Sequence, residues 1–160
     1  MKNWKSLGLV MLLALVLGMG TACSKKAEIQ QTTESTDSAV VTLEQAVESI
    51  SSSTIYFAYD KYDVKAEYSA ALQQAAELMK AYPSIRVRIE GNCDERGTQE
   101  YNLALGERRA RAVYDYMVML GVSPDQLEMI SYGKERPAVQ GSNEEAWSLN
   151  RRDEFNVIAR

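Results

Sequence analysis

The chain has no histidine and two cysteines in 160 residues, and these counts already exclude several chemistries. Ser-His-Asp and Cys-His catalysis, histidine-containing zinc sites and the usual neutral-pH proton shuttle are ruled out. Cys23 and Cys93 can form neither a disulfide framework nor a four-thiolate metal site. What remains is a set of carboxylates and guanidinium groups. Their most informative arrangement lies in a helical segment that ends near Gly121. At 100° per residue, Asn102, Gly106, Arg109, Val113, Tyr116 and Leu120 fall within about 40° of one direction. The stripe is apolar from Val113 to Leu120 and turns into Arg, Gly and Asn toward the N-terminus. The inward face therefore becomes polar where the loop 92–99 enters the helix. Arg108 and Arg111 point roughly 120° and 180° away and are expected in solvent.

A half-buried arginine needs an anion, because leaving it unpaired costs several kcal/mol. Asp94 is the nearest candidate in sequence. Two readings stand: Asp94 and Arg109 satisfy each other, or they present one anion and one cation to a zwitterionic ligand. In the second reading, the amides of Gly97 and Thr98 and the helix N-terminus add donors for a carboxylate. Rival chemistries have less support. Asp94-Glu95 and Glu144-Glu145 are adjacent pairs that point apart, and no separated pair flanks a sugar cleft. No base exists for Cys93 or a serine, so no enzyme is expected. Asp60 and Asp63 lack the Gly and bidentate Glu of a loop-type calcium site. No metal or cofactor is expected, and Cys93 reads as a small apolar residue.

Eighteen basic residues stand against 22 acidic, a net charge of −4. A uniformly basic nucleic-acid footprint is excluded. Lys2 and Lys5 precede the apolar run 7–19 (LGLVMLLALVLGM), and small residues follow up to Cys23. This is the layout of an export signal. Thirteen helical residues rise about 20 Å, short of the roughly 30 Å hydrocarbon core of a membrane. Gly20-Thr21-Ala22-Cys23 resembles a bacterial lipobox, whose cysteine is acylated and becomes the mature N-terminus. The alternative is ordinary secretion with Cys23 as a thiol. Removing Lys2 and Lys5 with the signal leaves 16 basic residues against 22 acidic, a net −6. Ser24 follows the cysteine, where an Asp would resemble an inner-membrane retention signal, so the resemblance implies the outer membrane.

Residues 24–53 are rich in Ser, Thr, Gln and Glu and contain no aromatic residue. They read as a tether. Val40, Leu43, Val47 and Ile50 recur at helical spacing within it, consistent with a short helix in its second half. As a coil of about 30 residues it averages roughly 30 Å end to end, and it reaches roughly 100 Å when extended. The expected division is a signal at 1–22, a lipidated cysteine and flexible tether at 23–53, and one folded domain at 54–160. In that domain, strands are expected at 54–59 (TIYFAY), 85–91 (IRVRIEG), 127–132 and around Phe155, Val157 and Ala159. Helices are expected at 65–82, with Tyr68, Leu72, Ala75 and Met79 inward, and from the loop 92–99 to Gly121. A helical turn is expected at 143–149. The order suggests an α/β (α+β) two-layer sandwich, a mixed four-stranded sheet with both main helices on one face.

The segments YFAYDKYDV (56–64), IEGNCDERGTQEYNLALGERRA (89–110), SYGKERP (131–137) and SLNRR (148–152) resemble the OmpA C-terminal-like family, and within it the peptidoglycan-associated lipoproteins. The likeness covers nearly all of 54–160, in order. It implies non-covalent binding of peptidoglycan through the diaminopimelate of the stem peptide. The family's loop Asp and helix Arg, which hold that residue, fall on Asp94 and Arg109. Its helix Asn falls on Asn102 and its first-strand loop Asp on Asp60. Its late Asn-Arg-Arg falls on Asn150, Arg151 and Arg152, expected at the pocket rim. The resemblance further implies an outer-membrane tether in a Tol–Pal-type system, partnered by a TolB-like periplasmic propeller and other Tol proteins. The sequence departs from the family at Asn92, where a His is usual, and at Asp153 and Asn156, where apolar residues are usual.

Overall fold

The computed structural model describes residues 41–160. The expected signal 1–22, the lipidation site Cys23 and the tether up to residue 40 lie outside the described residues. Eight elements follow in order: α1 (Leu43–Ser51), β1 (Thr54–Tyr56), α2 (Ser69–Ala81), β2 (Arg86–Asn92), α3 (Gln99–Met119), β3 (Leu127–Gly133), α4 (Glu144–Asn150) and β4 (Arg152–Ala159). The sheet order is β1-β4-β2-β3. β4 runs antiparallel to both β1 and β2, while β2 and β3 are parallel. The expected mixed four-stranded sheet is what the chain forms.

Alternation along the strands separates a core face from a wet one. Val87 and Ile89 are fully buried, opposite Val157 and Phe155 on one side and Leu127 and Met129 on the other. They share the core with Leu72, Ala75 and Met79 of α2 and Ala110, Val113 and Met117 of α3. The opposite face carries charge: Arg86 and Arg88 both bond Glu128, at 3.0 and 3.1 Å. Asn156 also belongs to this face and donates to Glu90 at 2.9 Å, so its departure from an apolar residue leaves the core untouched.

The helix α3 meets the sheet with almost no spacer at one point. A Cβ built on Gly91 would stand 2.1 Å from the carbonyl oxygen of Gly106, and one on Gly106 would stand 2.3 Å from Ser131 Oγ. Only glycine at both positions permits this approach. The contact draws the N-terminal half of α3, with Asn102 and Arg109, down onto the end of β2.

The structure moves one boundary. The folded unit does not begin at Thr54, because α1 is part of it. Thr42 and Gln45 form a capping box at its start, which satisfies two N-terminal amides. Ala46 and Ile50 are fully buried in the common core, with Leu43 and Val47 packed against it. An aliphatic stripe suffices here because α2 and β4 offer it a ready-made apolar face. Ile50→Ala is expected to cost about 2–5 kcal/mol. A chain beginning at Thr54 should also melt below one beginning at Val41, as followed by circular dichroism. Equal melting midpoints would mean that α1 adds nothing to the fold.

Candidate functional site

Arg109 is fully buried, and its guanidinium is solvated by backbone carbonyls. Nε donates to Lys61 O at 2.8 Å, Nη1 to Asn92 O at 2.9 Å and Nη2 to Ala58 O at 3.3 Å. Nη1 also donates to Cys93 Sγ at 3.4 Å, and the group lies 5.0 Å from the centre of the Phe57 ring. A guanidinium has five N–H donors. Four are used, which leaves one on Nη2 without an acceptor among the described residues. Its charge is met by carbonyl dipoles and by no ion pair among them. Burial accordingly pushes the Arg109 pKa down from its ordinary value.

Asp94, also buried, faces the same cavity but does not bond Arg109. Its Oδ1 accepts from the amide and Nε of Arg96, both at 3.1 Å. Its Oδ2 accepts from Arg96 Nη2 at 2.6 Å and Arg151 Nη1 at 3.2 Å. Burial works to raise the Asp94 pKa, but the bonds from Arg96 and Arg151 outweigh it and hold the carboxyl below the usual carboxylate range. The reading in which Asp94 and Arg109 satisfy each other is therefore corrected: each is held by other groups.

The cavity between them has a volume of about 120 Å³. Asp60, Asp94, Arg96, Arg109 and Arg151 supply its charges, so cations exceed anions by one. Tyr59, Cys93, Gly97, Tyr101, Asn102 and Leu105 complete the wall. Asp60 adopts a positive φ of 56° and accepts a hydrogen bond from the Tyr101 hydroxyl. Gly97, with φ 93°, turns the loop toward α3, a conformation that favours glycine. Asn102 holds that loop, donating from Nδ2 to Arg96 O at 2.8 Å and Thr98 O at 3.1 Å.

Three expected site residues lie elsewhere. Thr98 is the N-cap of α3, its Oγ1 accepting from the Tyr101 amide at 3.2 Å, and it does not line the cavity. Asn150 is pinned to both backbone groups of Val139. Arg152 bonds Glu154 at 2.7 Å, away from the cavity. Of the Asn-Arg-Arg run it is Arg151 that turns inward, because it caps α4 at the corner into β4. Its other donors go to Phe57 O at 3.0 Å and Glu144 at 2.5 Å. Arg96, Tyr59, Tyr101 and Leu105 were not anticipated. The only signal for Arg96 is its place two residues after an aspartate, where an Asx-type turn folds the chain back. Arg108 and Arg111 are exposed, as the helical stripe requires. Cys93 is buried and burial pushes its thiol up to about 11, so it is a neutral thiol at pH 7. Asn92 donates to Glu90 O at 2.9 Å within its own strand and does not line the cavity.

Behind the cavity, Asp153 is fully buried and neither of its oxygens has a hydrogen-bond partner among the described residues. Desolvation raises its pKa well above the ordinary value, against the pull of Arg109 and Arg152. The folded state thus holds this proton more tightly than the unfolded chain, whose carboxyl titrates near about 3.9. The contribution of Asp153 to stability is fullest below that pH and is lost as pH rises through the folded value. Asp153→Ala should remove this slope. In urea unfolding, its stability relative to the native chain should be more favourable at pH 7 than at pH 4. The same difference at both pH values would show Asp153 to be without titration linkage. Because the cavity left by the truncation is present at both pH values, it cancels.

Comparison with known proteins places this geometry in a family. Residues 56–151 match the model of the OmpA family. A peptidoglycan-associated lipoprotein of Pseudomonas putida is 56% identical over 102 residues, covering 64% of this chain and 61% of the relative. The chain thus spans about three fifths of the length of the curated relatives it matches. The crystal structure of the peptidoglycan-associated lipoprotein from Burkholderia pseudomallei is 46% identical with a TM-score of 0.65, over 65% of this chain and 88% of that one. The C-terminal domain of Helicobacter pylori MotB shares the fold at 20% identity and a TM-score of 0.62, over 68% and 85% of the two chains. The family match runs through the same loops and helix that build the cavity and covers more than half of the chain, which therefore belongs to the OmpA family.

Proposed function

We propose that this protein is a non-enzymatic outer-membrane lipoprotein, anchored through acylated Cys23, whose folded domain binds peptidoglycan through the diaminopimelate of its stem peptide. The observation that carries this reading is the guanidinium of Arg109, a buried charge without an ion pair among the described residues, lining a cavity beside Asp94. The distal centre of diaminopimelate bears one carboxylate and one ammonium. The carboxylate takes the remaining N–H of Arg109 as a charge-assisted bond, supported by the loop at Gly97. The ammonium takes Asp94, with Asp60 at the mouth. The cavity, of about 120 Å³, is small and polar and suits an amino-acid head group.

The lipid at one end of a 23–40 tether and the wall-binding domain at the other join the outer membrane to the cell wall. The domain then lies in the periplasm. No helix among the described residues is long and apolar enough to cross a membrane, so the anchor in this reading is the lipid. Stable anchoring takes more than one acyl chain. The family resemblance adds a TolB-like propeller and other Tol proteins as partners, and a part in envelope integrity and cell division.

Retention on purified peptidoglycan sacculi tests this. The native chain and Arg108→Ala should be retained, and the sacculi should stay undigested. Asp94→Ala, checked for folding by thermal melting, should bind roughly 10- to 150-fold more weakly, as expected for a charge-assisted contact of about 1.5–3 kcal/mol. Retention of folded Asp94→Ala equal to the native chain would contradict the site assignment.

A further inference from the structure

Asp94 has no open acceptor position. An ionised carboxylate offers about four lone-pair sites. Arg96 takes three of them and Arg151 the fourth. An incoming ammonium can reach Asp94 only if one of the two guanidinium groups leaves. Arg151 is the worse candidate, since its side chain is 7% exposed and is also tied to Phe57 O and Glu144. The Arg96 side chain is 28% exposed and springs from a loop. Its guanidinium lies between two aromatic rings, 4.1 Å from the centre of Tyr59 and 4.0 Å from that of Trp147. Glu144 Oε2, 63% exposed and 3.7 Å from Arg96 Nη1, gives it an anion to keep when it moves outward. The amide of Arg96 still bonds Asp94 Oδ1 after the side chain has gone, so the carboxylate keeps its orientation.

We propose that Arg96 is a tethered stand-in for the ligand's ammonium group, held on Asp94 in the empty site and displaced from it on binding. This deepens the peptidoglycan reading above and rests on it. The exchange replaces one cation on Asp94 with another, so the buried carboxylate is never left bare. A ligand without an ammonium has nothing to offer in that exchange and leaves Arg96 in place. Arg96 thereby lowers affinity for the cognate ligand while admitting to Asp94 only groups that carry a positive charge.

The test uses the acylated chain in detergent, from which removal of the signal takes Trp4 and leaves Trp147 as the single tryptophan. Two probes are compared: a stem peptide ending in meso-diaminopimelate, and the same peptide ending in α-aminopimelate, which lacks the distal amine. Arg96→Ala should bind the first about tenfold more tightly than the native residue does, the size of the cation–π contacts given up on displacement. It should bind the second no better. Trp147 fluorescence should change when the diaminopimelate peptide binds the native site, and this change should vanish in Arg96→Ala although binding persists. If Arg96→Ala binds the diaminopimelate peptide equally or more weakly, while the native chain still prefers it over the α-aminopimelate peptide, the stand-in role is overturned and the site assignment survives. If the native chain does not distinguish the two peptides, Asp94 is not an ammonium receptor and both readings fall.

Discussion

A guanidinium cannot be buried without solvation, and two segments distant from α3 in sequence meet that requirement for Arg109 with three carbonyls. The loop after β1 supplies the carbonyls of Ala58 and Lys61, and the end of β2 supplies that of Asn92. Arg109 thus ties the first-strand loop to the loop that enters α3, and the cavity is the space enclosed between them. The carbonyl dipoles solvate the charge without neutralising it. Leaving a buried charge without a counter-ion is costly in a finished core, and here Arg109 lines the cavity beside Asp94.

The remainder of the architecture makes that burial possible. The facing glycines Gly91 and Gly106 let α3 settle onto β2, which sinks the polar end of its inward stripe to the depth of the sheet. Asn102 then closes the loop by binding the carbonyls of Arg96 and Thr98. Asp94 and Arg109 face one cavity from opposite networks, one fed by side-chain cations and the other by backbone carbonyls. Neither network depends on a bond between the two residues.

Much of this was legible in the residues. Period 3.6 along α3 singled out Asn102 and Arg109 and separated Arg109 from Arg108 and Arg111, because periodicity reports which face turns inward. The partners of Arg109 were not legible, since backbone carbonyls carry no side-chain signature. Arg96 was missed because the loop that folds it back onto Asp94 follows no repeating geometry. In Asn150-Arg151-Arg152, the inward residue depends on where α4 stops and β4 begins, and a shift of one position changes the answer. The aliphatic stripe of α1 was visible, but its docking depends on a surface made by α2 and β4, which are distant in sequence. Asp153 stood out as a polar residue in an apolar position. That it would have no partner follows only from the packing around it.

The central claim is that the uncompensated charge of Arg109 is completed by a carboxylate of the ligand. The direct measurement is calorimetric titration of the full chain with a stem peptide ending in meso-diaminopimelate, against the same peptide with its distal carboxylate amidated. Amidation removes the charge and keeps the shape. The account predicts roughly 10- to 150-fold weaker binding for the amidated peptide, as for the loss of a charge-assisted bond of about 1.5–3 kcal/mol. Equal affinity for the two peptides would contradict it.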